Sequence, residues 1–138
     1  MTGPLPDAAT IIGSGLIAER ERLGLIASNI ANADSIAAPG GQPYRAMEPV
    51  FVAEPALAGS PADVVKVAGV VQSDAPARLV YAPGNPFADP QGYVHESNVD
   101  PAQQMTDLIS ATQSYAAGIA VLSQSTRLDQ AMLQSFIA

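Results

Sequence analysis

Cysteine and tryptophan are absent from the 138 residues, and Lys66 is the only lysine. Without cysteine there is no disulfide, no thiolate metal site and no thiol nucleophile. Aromatic residues make up only 5%, three Phe and four Tyr, so little large ring area is available to a compact core. Positive charge is equally scarce: six basic residues against 13 acidic ones give a net charge of -7. That excludes the basic footprint a nucleic-acid binder needs to neutralise phosphates, and it disfavours anionic lipid surfaces. No apolar run reaches the roughly 18 residues of a membrane-spanning helix. Residues 1–7 carry neither a positive start nor an apolar stretch, so any export is expected to proceed without a cleaved signal peptide. Neither membrane insertion nor a nucleic-acid partner is expected.

What is present falls into three parts. Asp7 to about Asn32 reads as a helix, with Asp7 as its N-cap. Ile12, Leu16, Leu23, Ile26 and Ile30 follow a heptad-like spacing, with Glu19 in the one skipped position. Gly13, Gly15 and Gly24 each weaken an isolated helix by roughly 1 kcal/mol relative to Ala, so this helix needs packing partners. Next comes a Pro- and Gly-punctuated stretch. It holds four short strand candidates: Glu48–Ala53, the Val-rich Asp63–Val71, Arg78–Tyr81 and Gly92–His95. Pro61 is among the turn markers between them. The last part, Pro101 to Phe136, has the clearest start: Asp100 to cap, Pro101 in the first turn, Gln103 to complete a capping box. Its seam is read through Met105, Leu108, Thr112, Tyr115, Ile119, Leu122, Thr126, Leu133 and Phe136.

The expected fold is therefore α+β: long N- and C-terminal helices packed as a coiled-coil-like pair, with a small antiparallel β element inserted between them. Residues 1–33 and 99–138 form the helical part, and residues 34–98 the loop and β part. A helix over Pro101–Phe136 is about 54 Å long at ~1.5 Å per residue. A compact domain of this length is only about 35–40 Å across. The second helix must then project beyond its own globule, and its apolar seam must meet other chains. The bland alternative is a break near Gly118 into two ordinary helices.

Ser14-Gly15-Leu16-Ile17-Ala18, Arg22-Leu23 and Ile26-Ala27-Ser28-Asn29-Ile30-Ala31-Asn32-Ala33 together resemble the N-terminal signature of the flagellar axial proteins (rod, hook and hook-associated). Gly40-Gly41-Gln42-Pro43-Tyr44-Arg45 and Arg78-Leu79-Val80-Tyr81-Ala82-Pro83-Gly84-Asn85-Pro86 are similar to segments of the proximal rod members of that family. Asn98-Val99 and Asp107-Leu108-Ile109-Ser110-Ala111 continue the likeness into the second helix. The resemblance implies a structural subunit of the proximal rod of the flagellar basal body. It would assemble helically with itself and other rod proteins into the hollow drive shaft, and be exported by the flagellar type III apparatus. The terminal helices would form the inner tube and the β part would lie outside. The family's rod crosses the periplasm and peptidoglycan, so peptidoglycan is a further neighbour. The alternatives are another flagellar axial protein and, from a different class, a type III-secreted helical adaptor.

No catalytic, cofactor or metal site is expected. His95 is the one histidine, and His95 beside Glu96 falls short of a catalytic triad or a metal ligand set. Gly40-Gly41 lacks the Lys-Ser/Thr tail of a phosphate loop and reads as a turn after Pro39. Candidate subunit-interface residues are Leu16, Leu23, Ile26, Asn29, Ile30, Asn32, Tyr44, Arg45, Leu108, Tyr115, Ile119 and Leu122. Asn29 is expected to make an interhelical hydrogen bond that bridges to a neighbour. Asn32 reads either as a second bridge or as a residue tolerant of left-handed backbone at a helix end. Tyr81 and Tyr93 read either as interface anchors or as core residues of the β element, and Tyr44 in its loop reads as an interface anchor.

Overall fold

A computed structural model of the chain describes residues 8–58 and 62–137. The expected Asp7 cap and the Pro61 turn lie outside the described residues. In chain order the elements are α1 (Ala8–Ala31), β1 (Met47–Pro55), β2 (Asp63–Gln72), β3 (Arg78–Tyr81), β4 (Tyr93–Glu96) and α2 (Pro101–Ile137). This is an α+β arrangement of two long terminal helices around a small antiparallel strand region.

The two helices run antiparallel. Asn29, near the end of α1, bonds Gln104 near the start of α2; Leu16, a few turns back along α1, meets Gly118 further along α2. Asp100 caps α2 by accepting hydrogen bonds from the amides of Ala102 (2.9 Å) and Gln103 (3.4 Å). Pro101 then occupies the first helical position, where a missing N–H costs nothing. The expected capping box is only half made, because the Gln103 amide turns forward to Asp107 instead. α2 runs unbroken for 37 residues through Gly118. α1 ends as the Asn32 amide closes on the carbonyls of Ser28 and Asn29. Among the described residues none other than glycine has positive φ, so Asn32 stays out of the left-handed region. Its side-chain amide folds back onto the Ser28 carbonyl at 2.8 Å.

The inserted β part is two hairpins rather than one element. β1 pairs with β2, and β3 with β4, in separate two-stranded sheets. In the longer hairpin the register shifts between Val50, opposite Gly69, and Phe51, opposite Val67. Ala68 is therefore the extra residue of a β-bulge, which bends the strand and increases its twist. A lone hairpin is marginal in water. Here α1 supports it, packing against β2 and β1, and the Val65 amide donates to Ser14 Oγ at 3.1 Å. The shorter hairpin is carried by the chain leaving α1. Ala37 donates to the His95 carbonyl and Ser97 to that of Ser35, and Arg78 links Glu96 (2.7 Å) with Asp34 (3.5 Å). The bond to the Glu96 carboxylate, and then its charge, raises the guanidinium pKa further. Gly40 takes the expected turn with φ of 76°.

The interior is small. The buried apolar residues are mainly Ala and Val, and the largest fully buried side chains are Val94, Asn29 and Ser97. Tyr81 and Tyr93 are not core residues. Their rings meet edge to face with centroids 5.3 Å apart, yet they are 64% and 40% exposed. They share a hairpin face with Leu79 and His95, and that face has no helix over it to bury them.

Candidate assembly interface

Where α1 ends, a buried polar junction ties the elements together. Asn29 is 1% exposed. Its amide NH2 donates to the Met47 carbonyl and to Gln104 Oε1, both at 2.9 Å. Its carbonyl oxygen accepts from the Met47 amide (2.8 Å) and the Tyr44 hydroxyl (3.0 Å). All of its donors, and both lone pairs of its oxygen, are thereby used. The expected interhelical hydrogen bond exists, but it lies within one chain. A side chain so enclosed and so fully partnered has nothing left to offer a neighbour, which corrects the bridging role expected of Asn29. Asn98 repeats the device: it accepts from the Ala46 amide (2.7 Å) and donates to the carbonyls of Ser73 and Ala75.

Tyr44 is drawn into the same junction. It packs on the cluster of Ala33, Ala46 and Val99, and burial lifts its phenol above the ordinary value. It is an internal strut more than a loop anchor for another chain. Arg45 beside it stays at the surface, 3.4 Å from Asp74, where an exposed ion pair contributes little.

Along the helix pair, Leu16, Leu23, Ile30, Leu108, Tyr115 and Leu122 are half-buried and Ile26 is buried. Met105 and Ile119 point outward instead, at 55% and 48% exposure, and Thr112 and Thr126 are also exposed. The true inward stripe of α2 interleaves small and polar residues: Gln104, Leu108, Ala111, Tyr115, Gly118, Leu122 and Ser125. The reason is close approach. A Cβ on Gly118 would stand 2.8 Å from Leu16 Cδ2. Reading the seam through large apolar residues therefore tracked a neighbouring stripe in places.

Two open features remain on this surface. α2 has no buried or half-buried residue from Thr126 to Phe136, yet this stretch carries Leu128, Met132, Leu133 and Phe136, all more than half exposed. Residues 126–137 project about 18 Å at ~1.5 Å per residue. Beside the helix pair lies a trough of about 440 Å³, walled by Ile12, Gly15, Leu16, Phe51, Val65 and Val121, with Glu19 in it. One Glu19 oxygen is 3.7 Å from Arg22. The other is buried without a hydrogen-bond partner, the one such side-chain atom among the described residues. A Cβ on Gly15 would meet nothing within 4 Å, so packing within the chain does not require a glycine there.

Among the described residues there is no group of His, Cys, Asp or Glu able to hold a metal ion. No helix among the described residues is long and apolar enough to cross a membrane.

Comparison with known proteins falls on these same elements. Residues 11–35, which include most of α1, match the family described as flagella basal body rod protein. Residues 91–135, from β4 through most of α2, match the C-terminal family of the flagellar basal body rod FlgEFG proteins. The chain is 52% identical over 112 residues to the flagellar basal-body rod protein FlgC of Salmonella typhimurium (strain LT2), covering 81% of this chain and 83% of that one. It is 48% identical over 120 residues to FlgC of Yersinia enterocolitica, covering 86% and 87%. It is 36% identical over 117 residues to FlgC of Aquifex aeolicus, covering 85% and 86%. With about half of its residues shared over most of its length, and both helices falling within the matched families, this chain belongs to the FlgC family of structural rod proteins of the flagellar basal body.

Proposed function

We propose that copies of this chain stack helically, together with other rod proteins, into the hollow proximal rod. The α1–α2 pair would line the tube and residues 34–98 would lie outside it. The work is mechanical: torque passes through many small lateral contacts, and no residue acts as a catalyst. Leu16, Leu23, Ile26, Ile30, Asn32, Arg45, Leu108, Tyr115, Ile119 and Leu122 remain candidate interface positions. Of these, Ile119 is the best placed, since it is exposed and apolar on a helix that other copies must cover. Passage through the type III apparatus without a cleaved signal, a position across the periplasm and contact with peptidoglycan belong to the same reading.

One observation carries it. The chain exposes 9197 Å², whereas a compact chain of 14.1 kDa exposes about 6,700 Å². The surplus, about 2,500 Å², matches some three interfaces at ~800 Å² per partner. It is the surface expected of a subunit with several neighbours. The test is deletion of the gene, followed by electron microscopy of basal bodies and a swimming assay. Rings without a completed rod, with swimming lost, are expected. Intact rods and normal swimming would refute the proposal.

A further inference from the structure

The trough beside the helix pair is an apolar hollow holding Glu19, and the projecting end of α2 carries Arg127, with Asp129 two residues on. Resting on the rod reading above, we propose that the trough of one copy receives the projecting end of α2 from a second copy, with Arg127 of the incoming helix bonded to Glu19.

Three observations converge on this occupant. The first is charge. Arg127 sits on the projecting segment and has no ion-pair partner among the described residues, whereas Arg22, Arg45, Lys66 and Arg78 all have one. Arg20 is unpaired as well, but it lies on the trough's own helix, one residue from Glu19. The trough holds the complement of Arg127, the Glu19 carboxylate, whose side chain is 25% exposed and one of whose oxygens is buried with nothing bonded to it. A carboxylate so poorly hydrated is costly until a positive charge meets it, and a guanidinium docking on its exposed part supplies that charge.

The second is shape. Leu128 and Met132 stand four residues apart on one face of the projecting helix, and the trough wall is apolar. Gly15 leaves that wall smooth. A glycine inside a helix is destabilising relative to alanine, and an approaching helix is what offsets it. The third is topology. Trough and projection are different patches of one surface, so the contact is head-to-tail, and a head-to-tail contact that does not close on itself generates an open helical array.

The experiment exchanges the charges in a strain lacking the chromosomal gene. Glu19→Arg alone and Arg127→Glu alone should each lower the yield of completed basal bodies by about tenfold or more, since like charges then face each other. The double variant should recover most of that loss. A double variant no better than either single one would overturn the pairing, as would single variants that assemble normally.

Because the chain has no cysteine, a second measurement is clean. Chains carrying Gly15→Cys are co-expressed with chains carrying Leu128→Cys, and isolated basal bodies are oxidised. A disulfide-linked dimer of the two variants is expected. Basal bodies that contain both chains but yield no dimer would refute the pairing and leave the rod reading intact. Wild-type basal bodies that contain no copy of the chain would refute both.

Discussion

At the scale of single residues, Asn29 ties α1 to α2, to the start of β1 and to Tyr44 through four hydrogen bonds. Removing its amide strands the Met47 amide and carbonyl, Gln104 and the Tyr44 hydroxyl at once. Asn29→Ala should therefore destabilise the isolated chain by about 2–3 kcal/mol, the cost of leaving buried polar groups unpaired. The midpoint of thermal unfolding followed by circular dichroism measures it, and an unchanged midpoint would refute the junction's role. Tyr44 adds a pH dependence. Burial raises its phenol above the ordinary 10.0. A folded value above the unfolded one means that its contribution is whole below the ordinary value and is lost as pH rises through the folded one. Tyr44→Phe should lower stability by about 0.5–1.5 kcal/mol near neutrality and flatten the alkaline loss. Chemical denaturation of both forms from pH 8 to pH 11 tests this.

At the scale of elements, the close crossing of α1 and α2 depends on Gly118. Gly118→Leu should force the helices apart and destabilise the chain by about 1–3 kcal/mol, as overpacking does. Combining it with Leu16→Ala should restore much of the loss, because Leu16 is the atom group in the way. A double variant no more stable than Gly118→Leu would show that the crossing lies elsewhere. Both helices, all four strands and the cap at Asp100 were legible in the sequence, because spacing, β-branched runs and Pro–Asp chemistry act locally. The separation into two hairpins and the bulge at Ala68 were not, since cross-strand pairing leaves no mark in a single strand's pattern. The stripe at Gln104, Ala111, Gly118 and Ser125 was hidden for a related reason: hydrophobicity points to large side chains, whereas this contact is made by small and polar ones. Asn29 was singled out correctly for an interhelical bond, but a sequence does not say whether the partner helix belongs to the same chain. Gln104 and Ser97 carried no local signal at all, and Asn98 stood out only through the family likeness.

At the scale of the whole molecule, the proposed assembly draws on surface that the fold leaves free: the end of α2 and the outer face at Ile119. Truncation after Ser125 removes no buried or half-buried side chain among the described residues. The truncated chain should keep its unfolding midpoint to within a few degrees yet fail to enter basal bodies. Ile119→Asp should behave likewise, because Ile119 is 48% exposed. Fractionated basal bodies probed for the chain give the readout, and a rod of normal length built from either variant would contradict the division of surfaces.

The Asn29–Gln104 bond also has a metrical consequence. It locks the register of α1 against α2, so it fixes how far α2 reaches past α1. A slip by one helical turn would break the junction and change that reach by about 5.4 Å. In a shaft built by repeating one contact, an error of that size recurs at every copy. In the proposed rod, one buried amide pair would thus act as a gauge block, holding each subunit to a common length so that the thread of repeated contacts runs true.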